Sequence, residues 1–163
     1  MVGIRRATAA DIAAIIVLEK SAGALFIGTH MDWAAGEVST PEELTAPIEQ
    51  GYVWVAEHDH EIAGYLSGGP LGHQFYIEEV SVAAAYQRRG IGRLLIDVVA
   101  DEARRQGFSA LSLTTDRTLP WNAPYYARIG FRLLGLEEIP PLLAQELVSK
   151  PNAHLRCAML RDL

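Results

Sequence analysis

A mixed α/β sheet in one domain is the fold class this sequence predicts, and three observations predict it. Segments with the two-residue period of strands alternate along the chain with segments that carry a helical period. One strand-like run, Phe75 to Val82, leads through a glycine turn, Gln87-Arg88-Arg89-Gly90-Ile91-Gly92-Arg93, into a helical run from Ile91 to Gln106. The length of 163 residues suits one domain with a real hydrophobic core, and no repeat, low-complexity tract or linker divides residues 1–163.

Each element has its own signal. Ile4 to Ala7 reads as a short strand, and Thr8-Ala9-Ala10-Asp11 offers two caps for a helix with Ile12, Ile15, Ile16 and Glu19 in register, ending near Gly23. Leu25 to Gly36 has no clean period and reads as irregular or loosely helical. Thr40-Pro41-Glu42-Glu43 is a capping box with proline at the first helical position, and Pro47 is expected to limit or kink the helix it starts. Tyr52 to Glu57 and Glu61 to Leu66 read as a hairpin turning at His58-Asp59-His60, and Ser67 to Gly72 as a break in regular structure. After the long helix, Gly107 suits its stop, Ala110 to Thr115 alternates as a strand, and Tyr125 to Ile129 forms a short helix before Gly130. Phe131 to Leu134 returns as a strand, Leu142 to Ser149 as a helix and His154 to Leu160 as the last strand.

Composition narrows the function classes. Apolar residues make up 50% and charged residues 21%, ordinary for a soluble globular protein. No apolar run approaches the roughly 20 residues that span a bilayer, so no membrane partner is expected. The start, Met1-Val2-Gly3-Ile4-Arg5-Arg6, lacks the apolar centre of a secretion signal, and one cysteine, Cys157, has no partner for an internal disulfide. Both point to a cytoplasmic protein with an inert, buried thiol. The net charge of −6 argues against broad nucleic-acid affinity.

Against that acidic background, the glycine turn concentrates positive charge. Gly90 and Gly92 let the backbone turn tightly and approach a ligand, and the helix that follows aims its unpaired N–H groups and positive dipole end at the turn. With Arg88, Arg89 and Arg93 beside it, the turn is a phosphate site. His58-Asp59-His60-Glu61 has the composition of a metal cluster, but three of its residues form a hairpin turn, where polar residues are normal, and no metal is expected.

Gln87-Arg88-Arg89-Gly90-Ile91-Gly92 resembles the Gln/Arg-x-x-Gly-x-Gly/Ala loop of the GNAT N-acetyltransferases. It follows a strand ending Val80-Ser81-Val82, and Asn122 with Tyr126-Ala127-Arg128-Ile129-Gly130-Phe131 is similar to the family's Asn…Tyr-x-x-x-Gly-Phe segment. The resemblance covers nearly the whole chain. It implies a mostly antiparallel twisted sheet with helices on both faces and a splayed central strand pair. It also implies transfer of an acetyl group from acetyl-CoA, the cosubstrate, to a primary amine by direct attack in a ternary complex, with a small molecule as the acceptor. Acetylation of a protein lysine or N-terminus is an alternative, and a non-catalytic acyl-CoA-binding regulatory module is another. Dimers are common in the family, so the resemblance admits a homodimer.

By the same resemblance, Gln87, Arg88, Arg89, Gly90, Ile91, Gly92 and Arg93 hold the pyrophosphate. The backbone of Val80, Ser81 and Val82 pairs with the pantetheine arm, and an N–H there stabilises the thioester oxyanion. The acceptor amine must lose a proton, since an alkylamine has a reference pKa of about 10.4. Glu79 is the favoured base and Glu78 the second candidate, on opposite faces if the strand alternates regularly and in other phase if it bulges. Tyr126, four residues before Gly130, is the acid for the departing thiolate. Asn122 precedes Tyr126 by only four residues, fewer than usual in the family, so it is either a cofactor contact or the cap of the short helix. Trp33 first, and Phe26, Met31 and Trp54 after it, are candidates to line an acceptor pocket.

Overall fold

Runs of β-branched and aromatic residues, punctuated by short turns, give this chain seven strands. The computed structural model describes all 163 residues. Its strands are β1 (Val2–Arg6), β2 (Val53–His58), β3 (Glu61–Leu71), β4 (Gln74–Val82), β5 (Ala110–Asp116), β6 (Arg132–Leu133) and β7 (Arg156–Asp162). The helices are α1 (Ile12–Ala22), α2 (Pro41–Glu49), α3 (Ile91–Arg105), α4 (Ala123–Arg128) and α5 (Pro141–Ser149). The strands hydrogen-bond in the order β1-β2-β3-β4-β5-β7-β6. The β1/β2, β2/β3, β5/β7 and β6/β7 pairs are antiparallel, and β4/β5 is parallel. The β4/β5 ladder joins only Gln74–Tyr76 to Ala110–Ser112, although β4 runs on to Val82 and β5 to Asp116.

The chain divides into two units, residues 1–68 with 79–98, and residues 69–78 with 99–163. In the first, Ile15 and Leu18 of α1 and Leu44 of α2 pack on Val53, Val55 and Tyr65, all buried. The next residue on β3, Gly64, faces the other way: a Cβ built there would meet Ile91 Cγ2 and the Ser81 carbonyl oxygen at 3.1 Å and Leu95 Cδ1 at 3.4 Å. Helices thus cover both faces of these strands. Asp11, buried ahead of α1, accepts from both terminal nitrogens of Arg5 at 2.8 and 2.9 Å and from the Thr8 N–H at 2.7 Å. In the second unit, Leu143 of α5 is fully buried against Tyr76, Ala110, Ala158 and Leu160. Cys157 of β7 lies opposite Thr115 of β5 and is 4% exposed.

Local chemistry explains most boundaries. The Thr40 hydroxyl accepts from the Glu43 N–H, and the Glu43 carboxylate accepts from the Thr40 N–H at 2.8 Å, so the capping box forms. Asp59 and His60 have φ of +48° and +65°, which makes the β2–β3 link a two-residue hairpin turn whose twist matches the strands. Polar residues stand there because they tolerate that conformation.

Three sequence expectations need correction. The stretch from Ser67 is not a break, because β3 continues to Leu71. Its pairing with β2 ends at Val53↔Ser67, so Pro70 lies past that ladder, where its missing N–H costs no bond to β2. Pro47 stands in the last turn of α2, which ends at Glu49, short of Gly51 as the sequence suggests. The strand expected over Phe131 to Leu134 shrinks to Arg132–Leu133. The last strand starts at Arg156, because residues Ala153–Leu155, His154 among them, form a 3-10 turn.

Candidate active site

The expected phosphate turn forms in the first unit and is anchored residue by residue. Beyond β4, the Ala83 N–H donates to the Ala63 carbonyl at 2.8 Å and the Ala84 N–H to Ser21 Oγ of α1 at 3.2 Å. The Tyr86 hydroxyl donates to Glu61 at 3.0 Å, and the Arg89 guanidinium lies over the Tyr86 ring, 5.5 Å from its centre. Gln87 reaches back from its amide nitrogen to the Val82 carbonyl at 3.1 Å and closes the turn. Arg88 has φ +64° and Gly90 has φ +79°. Left-handed residues alternating with ordinary ones turn successive N–H groups to one side, an anion-binding nest, and here the nest runs directly into the α3 N-terminus. The Leu94 N–H bonds the Gly90 carbonyl at 3.0 Å, so helical bonding starts at Gly90 itself. A Cβ at Gly90 would meet nothing within 4 Å: the space over it is open. Ile91 turns inward, 3% exposed, and Gly92 is in the first turn of α3. Arg93 stays at the surface, with its Nε 3.7 Å from Asp97.

The two candidate carboxylates have different partners. Glu79, in the first unit, accepts from the hydroxyl of Ser81 at 2.9 Å, and its charge acts on the Tyr65 phenol. Val80, Ser81 and Val82 are all half-buried. Glu78, in the second unit, is ion-paired with Lys150, the residue after α5. Burial opposes the Lys150 charge, but the Glu78 carboxylate overrides it and holds the ammonium above its ordinary pKa.

Also in the second unit, α4 starts one residue after Asn122. The Asn122 carbonyl accepts from the Tyr126 N–H at 3.0 Å, but its side chain makes no capping bond, so it holds the cap position without the cap chemistry. Pro124 is the second residue of the helix. Gly130, with φ +103°, turns the chain so that Phe131 N–H bonds the Tyr126 carbonyl at 3.1 Å. The Tyr126 ring is then wedged edge-on between Tyr125 at 5.4 Å and Phe131 at 5.6 Å. The phenol is half-buried and aromatically braced, a geometry that fixes where its hydroxyl points.

The acceptor candidates separate. Trp33 is 42% exposed in a 3-10 turn, Asp32–Gly36, and Phe26 is half-buried at the end of another, Gly23–Phe26. Met31 and Trp54 belong to the core instead, Trp54 with the Arg6 guanidinium 5.4 Å from its ring centre. Sequence reasoning missed Tyr65, Ser39 and Lys150 as partners of site residues. Glu19 did carry a signal: it is a carboxylate in register with the apolar stripe Ile12, Ile15, Ile16.

Comparisons with known proteins bear on the family and the fold. The family model described as "Acetyltransferase (GNAT) family" matches residues 25–131. The chain belongs to that family. It is 32% identical over 132 residues to the probable N-acetyltransferase camello of Xenopus laevis, covering 75% of this chain and 60% of that protein. The Xenopus tropicalis counterpart is 32% identical over 100 residues, 60% of this chain and 46% of that protein. The chain thus spans about half the length of the curated relatives it matches. Streptothricin acetyltransferase of Streptomyces lavendulae is 34% identical over 84 residues, 48% of this chain and 43% of that protein. Among solved structures, N-acetylglutamate synthase from Neisseria gonorrhoeae, complexed with coenzyme A and N-acetyl-glutamate, superposes with a TM-score of 0.78 at 24% identity, over 100% of this chain and 35% of that one. PaiA N-acetyltransferase from Thermoplasma acidophilum, in complex with coenzyme A, gives 0.76 at 14% identity, over 100% and 99%. These likenesses establish the fold.

Proposed function

We propose that this protein transfers the acetyl group of acetyl-CoA to a primary amine, in a ternary complex and without an acyl-enzyme. The observation that carries the reading is the nest at Arg88 and Gly90, which opens onto α3 with clear space above Gly90 and arginines on either side. Such a turn suits a pyrophosphate better than an isolated carboxylate, because several N–H groups and fixed cations converge on one place. Coenzyme A bound in the two solved relatives supports the same assignment.

Acetyl-CoA, when bound, supplies an activated thioester. The chain's own residues then have three tasks. Glu79, on the strand that leads into the phosphate turn, takes the proton from the ammonium of the acceptor. An N–H from Val80 to Val82 faces the negative charge that develops on the carbonyl oxygen as nitrogen adds. Tyr126 returns a proton to the departing sulfur, a feasible transfer from a phenol of pKa about 10 to a thiolate of about 8.5. The carbon–nitrogen bond forms and the carbon–sulfur bond breaks; of the two protons the nitrogen sheds in going from ammonium to amide, the one taken by Glu79 passes to solvent and the second offsets the proton that Tyr126 delivers to sulfur.

The acceptor we favour is a small amine, in line with the relative named for streptothricin. The test is release of free thiol from acetyl-CoA in the presence of spermidine, lysine amide and an alanine-ended peptide. Turnover with spermidine or lysine amide supports the small-amine reading, and turnover with the peptide alone moves the acceptor to protein termini. Tight coenzyme A binding without turnover of any amine would replace the enzyme with a binding module.

A further inference from the structure

From Lys20, in the last turn of α1, to Val38, ahead of α2, the chain makes an excursion that carries both Phe26 and Trp33. Its two ends meet at one side chain. Glu19, at the end of α1, accepts from the Ser39 N–H on Oε1 at 3.1 Å and from the Ser39 hydroxyl on Oε2 at 2.9 Å. The same Oε2 accepts from the Tyr65 hydroxyl of β3 at 3.0 Å. Tyr65 is 1% exposed, and its position in the core is set by Ile15, Leu18 and Val55. A second closure lies inside the excursion: a Cβ on Gly23 would stand 2.6 Å from the Ala35 carbonyl oxygen, so backbone lies on backbone there. Two residues past Glu19, Ser21 holds the Ala84 N–H ahead of the phosphate turn.

We propose that Glu19 is a positioning residue for the acceptor amine: its carboxylate latches onto Tyr65 the segment that carries Phe26 and Trp33, the candidates for the acceptor wall. The inference rests on the transferase reading, with Glu79 as base, and adds to it the residue that sets amine affinity. Three hydrogen bonds on one carboxylate, two from the far end of an excursion and one from a core phenol, exceed what a surface glutamate needs for solvation. The Tyr65 phenol is a durable donor. Burial first, and then the charges of Glu79 and Glu19, push its ionisation far above the ordinary tyrosine range, so the hydroxyl keeps its proton at any working pH.

The chemistry predicts graded damage. Glu19→Ala removes all three bonds. Glu19→Gln keeps an acceptor for two of them but turns an NH2 toward the third donor, so it rescues in part. Ser39→Ala removes one bond from the far side and leaves the core phenol paired. In wild type and these variants, hydrogen exchange across residues 23–38 and steady-state kinetics with acetyl-CoA and spermidine, lysine amide or the alanine-ended peptide, whichever turns over fastest, give the test. We expect faster exchange across 23–38 in Glu19→Ala, and an amine KM raised about tenfold, equivalent to about 1.4 kcal/mol. Glu19→Gln and Ser39→Ala should fall between, with the acetyl-CoA KM within about twofold of wild type in every case. Unchanged exchange in Ser39→Ala and Glu19→Ala overturns the latch, whether or not any amine is turned over. Equal rises in both KM values, or a fall in kcat alone, also overturn it. Failure of the wild type to acetylate any of the amines counts against the transferase reading, while the exchange result still decides the latch.

Discussion

Tyr126 and the adjacent pair Glu78 and Glu79 show how little of a side chain's role is set by its identity. Two tyrosines stand side by side in α4, yet Tyr125 has the Arg128 guanidinium 5.9 Å from its ring centre, whereas Tyr126 is braced by Phe131 through the turn at Gly130. Replacing Tyr126 with Phe keeps that bracing and deletes only the hydroxyl. We therefore expect kcat to fall by about 10²-fold while coenzyme A affinity, measured by calorimetry, stays near wild type. Undiminished turnover would remove Tyr126 as the acid. The glutamates make a paired prediction. Glu79→Gln should remove most of kcat. Glu78→Gln should leave Lys150 without its carboxylate, lower the thermal midpoint and spare most of kcat. A loss of rate in Glu78→Gln as large as in Glu79→Gln would reverse the assignment.

At the scale of elements, the proposal for the turn between β4 and α3 rests chiefly on backbone: the left-handed Arg88 and Gly90 ahead of the helix start. Gly90→Glu places bulk and negative charge in the open space over the nest, in a left-handed conformation that side chains resist. Coenzyme A affinity should drop by about a hundredfold or more. Gly90→Ala is the control for backbone strain, worth about 1–2 kcal/mol. If Gly90→Glu binds coenzyme A as wild type does, the pyrophosphate is held elsewhere. This turn was legible in the sequence, as were the capping box at Thr40 and the helix that Gly107 ends, because each is specified by neighbours along the chain. What the sequence hid was set by distant partners. Glu78 meets Lys150 across 72 positions, Tyr65 meets Glu19 across 46, and Pro70 is tolerated because β2 ends opposite Ser67. The left-handed Arg88 was hidden for another reason: a residue that could have been glycine gives no notice that it takes glycine's conformation.

Over the whole molecule, an acidic chain of net charge −6 depends on a few well-placed carboxylates to tie its elements together. Asp11 is one, joining β1 to the start of α1 through Arg5. The Arg5 hydrogen bonds hold its pKa below the ordinary value, outweighing burial, which acts the other way. A folded-state pKa below the unfolded one means stability that is present at neutral pH and is lost as pH falls through the folded value. Asp11→Asn should therefore lower the thermal midpoint at pH 7, and the gap to wild type should close as pH falls below about 4. A gap that stays constant down to about pH 3 would show that packing, rather than charge, sets the effect. No helix is long and apolar enough to cross a membrane.

Cys157 gives the chain a chemical clock. It is the single cysteine, buried opposite Thr115 where β5 and β7 are laddered, and burial pushes its thiol further from the reactive thiolate. A thiol reagent added to the native protein should see released coenzyme A within seconds and the protein hardly at all. The slow residual labelling then measures how often the β5/β7 ladder opens, with no probe introduced.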